Sequence, residues 1–120
     1  MKSSMPGHLE VTETLVRLYV FLAQHLNRCL DEAAGQSLPE QELQAHLSAT
    51  RATMMDFLAV NPVVKRKVEG ECDRILSLGA RYLRGEAKGA AVREEVQREL
   101  SLLRQKTIAL SDLLAVFRAM

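Results

Sequence analysis

Residues Leu15 to Ala33 read LVRLYVFLAQHLNRCLDEA, the most apolar run in the chain. On a wheel of 3.6 residues per turn, Leu15, Leu18, Tyr19, Leu22, Leu26, Cys29, Leu30 and Ala33 fall on one side, with Arg17, Gln24, Arg28 and Asp31 opposite. That pattern is an amphipathic helix. Phe21 breaks it, landing among the polar residues with Val20 beside it, so a lone bundle is expected to leave that ring in water.

Upstream, MKSSMPGHLE has no apolar periodicity, and residues 1–8 are expected to be a flexible leader before a single domain over 9–120. Helix 1 should run from Leu9 or Thr12 to about Ala34, with Gly35 as its left-handed cap. Ser37 and Glu40 make a capping box, and Pro39 suits the first turn of helix 2. That helix, about Leu38 to Val60, carries the stripe Leu43, Leu47, Thr50, Met54 and Phe57, widened by Met55 and Leu58.

Asn61 and Pro62 read as an N-cap and first-turn pair, so the chain should reverse there; the competing reading is one kinked helix. Helix 3, Pro62 to about Leu83, buries Val64, Val68, Cys72, Ile75, Gly79 and Tyr82. After GEAKG at 85–89, helix 4 runs from Ala90 to about Arg118. Its stripe is Val96, Leu100, Leu103, Thr107, Leu110, Leu114 and Phe117, with Leu102, Ile108, Leu113 and Val116 lying off it. Four helices with short connections predict an all-α, antiparallel up-and-down four-helix bundle.

Composition agrees. The 120 residues are 48% hydrophobic but only 4% aromatic, without Trp, which suits a Leu-, Val- and Ala-rich helical core. The net charge of +1 offers no field for nucleic acid or an anionic membrane, and neither is expected as a partner. The charge is polarised: residues 1–60 hold 4 Lys or Arg against 7 Asp or Glu, and residues 61–120 hold 12 against 8. Cys29 and Cys72 have no C-x-x-C spacing and read as buried thiols. With no secretory signal and no spanning segment, a cytoplasmic location is expected.

No catalytic motif stands out, and the chain is expected not to be an enzyme. His25 and His46 have Leu where a diiron Glu-x-x-His pair needs Glu. A zinc set of His25, Cys29 and Cys72 is conceivable, since the first two are one turn apart. It lacks a fourth ligand and a recognised spacing, so neither metal nor cofactor is expected. Ala45 to Thr50 resembles, in its small residues, the mid-helix site of histidine phosphotransfer domains, which would make His46 the phosphorylated residue. It lacks the Lys three positions on, and Arg51 is the only nearby cation to replace it.

The remaining signal is apolar excess on helices 1 and 4, which marks a contact surface. The expectation is a non-catalytic interaction module: an adaptor or chaperone-like protein holding an amphipathic helix of a protein partner, or a homodimer. Val20, Phe21, Leu113 and Val116 would be its apolar anchors. Lys65, Arg66 and Lys67, placed at a helix start where the dipole disfavours cations, would steer an acidic partner. In size and build alone it resembles the small helical chaperones of bacterial export systems.

Overall fold

Asn61 sets the path of the chain. Its backbone is extended, at φ −147° and ψ 114°, so the preceding helix ends there. Its side-chain Oδ1 accepts hydrogen bonds from the backbone N–H of Val63 at 2.8 Å and Val64 at 3.4 Å. Its own carbonyl accepts from the N–H of Lys65 at 3.1 Å. Pro62, which has no N–H to satisfy, opens the next helix. The chain therefore reverses, and the kinked alternative is excluded.

The computed structural model describes residues 8–32, 39–84 and 90–120. They form α1 (His8–Glu32), α2 (Glu40–Val60), α3 (Pro62–Arg84) and α4 (Ala90–Ala119). Residues 1–7 of the expected leader, Gly35, Ser37 and the GEAKG connection lie outside the described residues. Pro39 departs from expectation: it stands just before α2, at φ −56° and ψ 145°, and caps nothing with its side chain. Its carbonyl instead accepts the N–H of Leu43 at 2.9 Å.

All four helices pack as an up-and-down bundle, and cross-helix contacts give the directions. Arg118 of α4 donates to Glu13 of α1 at 2.8 Å, pairing an end with a beginning, so α1 and α4 are antiparallel. Phe21 of α1 meets Phe57 of α2, and His25 meets His46, which makes that pair antiparallel too. On α3, by contrast, Glu71 faces Tyr19 while Gly79 faces His25 and Cys29, so α1 and α3 run parallel. Among the described residues α2 and α4 do not touch. The section is thus a rhombus, with α1 and α3 on its short diagonal and α2 and α4 at its far corners.

That geometry accounts for the breadth of the apolar arc on α1, which must face three neighbours. Leu18, Leu22 and Leu26 are fully buried in it, with Met54, Leu58, Val64, Ile75, Val96 and Leu103 from the other helices. Removing such a side chain from water contributes about 1.5–3 kcal/mol. The threonines on the stripes are tolerated because their hydroxyls donate to the carbonyl one turn back: Thr14 to Glu10, Thr50 to His46 and Thr107 to Leu103. Phe21 is corrected by the same geometry. Its ring is half-buried, 5.6 Å from the ring of Phe57, because α2 crosses on that side. Met55, expected to widen the stripe of α2, is exposed instead.

Both cysteines are buried and neither is in a disulfide. Burial, with Glu71, Asp73 and Glu69 nearby, pushes the Cys72 thiol up to about 12. No described helix is long and apolar enough to cross a membrane.

Candidate docking groove

The seam between α3 and α4 is closed over part of its length by charge pairs. Arg81 faces Glu95 at 3.9 Å, Arg74 donates to Glu99, and Lys106 donates to Glu71. Exposed pairs of this kind each contribute about 0–1 kcal/mol, so their main effect is to set register. Against the Glu71–Lys106 rung lies a groove of about 450 Å³. Leu15 and Tyr19 of α1, Lys67, Val68 and Glu71 of α3, and Lys106, Ala109 and Leu110 of α4 line it.

The upper wall of the groove is held by one network. Tyr19 donates its hydroxyl to Glu71 Oε1 at 3.1 Å, Lys106 reaches Oε2 of the same carboxylate, and the Lys106 ammonium lies 5.6 Å from the centre of the Tyr19 ring. Burial, then the Glu71 charge and its hydrogen bond, push the Tyr19 phenol far above its ordinary value. The phenol stays a donor, and the wall stays neutral apart from the paired ions.

Beside the groove α4 carries a second apolar row. Leu102, Ala109, Leu113 and Val116 follow one another at spacings of seven, four and three, which keeps them on one side of the helix. Lys106 belongs to that row and reaches Glu71, so the row faces the α3 side. Leu113 is 42% exposed and Val116 is 56% exposed. Three of these residues, Leu102, Leu113 and Val116, lie off the core stripe in the sequence.

Lys65, Arg66 and Lys67 lie on the first turns of α3, at the same end of the molecule, and all three are exposed. Among the described residues Arg51, Arg74, Arg81, Arg84, Arg118 and Lys106 pair with carboxylates, whereas Lys65, Arg66 and Lys67, like Arg17, Arg28, Arg93, Arg98 and Arg104, do not; the triplet differs from those in being three consecutive cations. Leu113, Val116 and the basic triplet are thus brought to one region. Val20, 37% exposed, points outward from α1, and Phe21 turns toward α2, which α4 does not meet. The four expected anchors do not share a face.

His46 is half-buried, its ring stacked on that of His25 at 5.4 Å, and its Nε2 is enclosed without a hydrogen-bond partner. A phosphoryl acceptor must meet another protein, and an enclosed ring nitrogen gives that reading no support. His25 and Cys29 have His46, not Cys72, as their neighbour; Cys72 stands seven residues before Gly79, about 10 Å along α3. No protein-family model matches the chain, and neither does any curated protein or solved structure compared with it.

Proposed function

We propose that the protein is a non-catalytic interaction module whose groove between α3 and α4 receives an amphipathic helix with an acidic polar face, supplied by a protein partner. The observation that carries the reading is the meeting of an apolar groove with three consecutive exposed cations, one of which, Lys67, lines it. Leu113 and Val116 lie beside a floor of Leu15, Val68 and Leu110, where a row of i, i+3, i+4 and i+7 side chains finds apolar surface. Lys65, Arg66 and Lys67 crowd the positive end of the α3 dipole, whose first turn holds no acidic residue, and acidic residues flanking such a helix would offset them.

The test uses a labelled synthetic helix with a Leu-rich face and a Glu-rich flank, followed by fluorescence anisotropy on the full chain. Binding is expected, weakened about thirtyfold by Leu113→Lys beside the groove, since an apolar interface anchor is worth about 2 kcal/mol. Reversal of Lys65, Arg66 and Lys67 to Glu should slow association and reverse its salt dependence, so that added salt speeds binding. Sedimentation of the chain alone is the companion measurement. A species of twice 13.4 kDa that rejects the peptide and dissociates on Leu113→Lys would assign the groove to a second copy and overturn the acidic-helix reading.

A further inference from the structure

Outside the groove, three metal-ligating side chains converge between α1, α2 and α3. His25 and Cys29 stand one turn apart on the face of α1 that meets α3, and His46 comes across from α2. One donor atom from each lies within 4.8 Å of the other two. His25 Nε2 and Cys29 Sγ are 3.7 Å apart. In a tetrahedral zinc site, bonds of about 2.0–2.1 Å to nitrogen and 2.3 Å to sulfur place those two donors about 3.6 Å apart. The pair on α1 is already at that spacing.

Two further observations point the same way. His46 Nε2 is enclosed and makes no hydrogen bond, although a buried nitrogen of this kind ordinarily has a partner. Gly79 of α3 leaves the space that the donors occupy: a Cβ there would stand 2.9 Å from His25 Nε2 and 3.3 Å from Cys29 Sγ.

We infer that His25, Cys29 and His46 supply three of the four ligands of a thiophilic divalent ion, zinc. Two imidazoles and one thiolate are a borderline-soft donor set that suits zinc and excludes magnesium and calcium. On binding, the Cys29 thiol gives its proton to solvent, and the imidazoles bind through neutral nitrogen. Because the donors come from α1 and α2, which touch each other least of the neighbouring pairs, the ion clips α2 to the rest of the bundle.

The test is titration of the purified full chain with cobalt(II), followed by zinc competition. One equivalent of cobalt should give a thiolate-to-cobalt charge-transfer band and the intense visible bands of a tetrahedral ion, both erased by zinc. His46→Gln should weaken zinc at least as much as loss of an outer-shell partner does, about 10–100-fold. Cys29→Ser should abolish the charge-transfer band, whereas Cys72→Ser should leave it. Zinc should raise the thermal midpoint of the wild-type chain and not that of Cys29→Ser. Absence of a thiolate band, or a band that survives Cys29→Ser or His46→Gln unchanged, overturns the assignment. His46 is half-buried and its replacement keeps the fold testable by circular dichroism even if Cys29→Ser proves unstable.

Discussion

Replacing each interior glycine of α3 by alanine gives opposite results at two sites on one helix. Gly70 is exposed and a Cβ there meets nothing within 4 Å, so Gly70→Ala gains helix propensity alone, about 0.5–1 kcal/mol. Gly79→Ala gains the same term but drives its methyl to 2.9 Å from His25 Nε2 and 3.3 Å from Cys29 Sγ. The imidazole has little room to retreat, because the ring of His46 stacks on it at 5.4 Å. Overpacking of this kind costs about 1–3 kcal/mol, leaving a net loss of about 1–2 kcal/mol. For a domain of this length that is a fall of about 4–8 °C in Tm, against a rise of about 2–4 °C for Gly70→Ala. Thermal and urea unfolding, with a chelator present, read both. If Gly79→Ala were as stable as the parent while Gly70→Ala gained stability, α1 and α3 would not approach each other at His25, and the reasoning would fail.

Asn61→Ala removes the acceptor of two N–H groups at the start of α3 and should cost about 1–2 kcal/mol by urea denaturation. Leu103→Ala empties the centre of the α4 stripe and should cost about 2–5 kcal/mol, the upper part if the cavity does not collapse. Alkaline stability follows from Cys72, whose thiol ionises near pH 9 when unfolded and is raised to about 12 when folded. A raised acid contributes fully below pH 9 and loses its contribution as pH rises, at up to 1.4 kcal/mol per unit, or about 2 kcal/mol by pH 10.5. Cys72→Ala should flatten that slope in unfolding curves taken across pH 8.5–10.5; identical slopes would place the titration elsewhere.

Helix positions and the Asn61 reversal were legible because both are local. Three- and four-residue spacings mark a buried stripe wherever they occur, and an Asn before a Pro satisfies the first N–H groups of a new helix from within its own turn. What could not be read is what depends on register between helices. Phe21 falls on the polar side of its own helix wheel, whereas α1 sits on the short diagonal and meets three helices, and α2 covers that side. His25 and Cys29 were visible as a pair one turn apart, but only the crossing of α2 brings His46 to them in place of Cys72. The groove was half legible: Leu113, Val116, Lys65, Arg66 and Lys67 stood out as misplaced apolar or cationic groups. Their meeting at one end follows from where the α3–α4 ion pairs stop, which no single helix records.

Backbone amide chemical shifts of the isotopically labelled chain, followed as the acidic amphipathic helix is added, test the docking reading directly. Saturable changes are expected at Lys65 to Glu71 of α3 and Lys106 to Val116 of α4, reaching Leu15 and Tyr19 across the floor. Changes centred on Phe21 and Phe57 between α1 and α2, or none at concentrations where the peptide is helical, would contradict it.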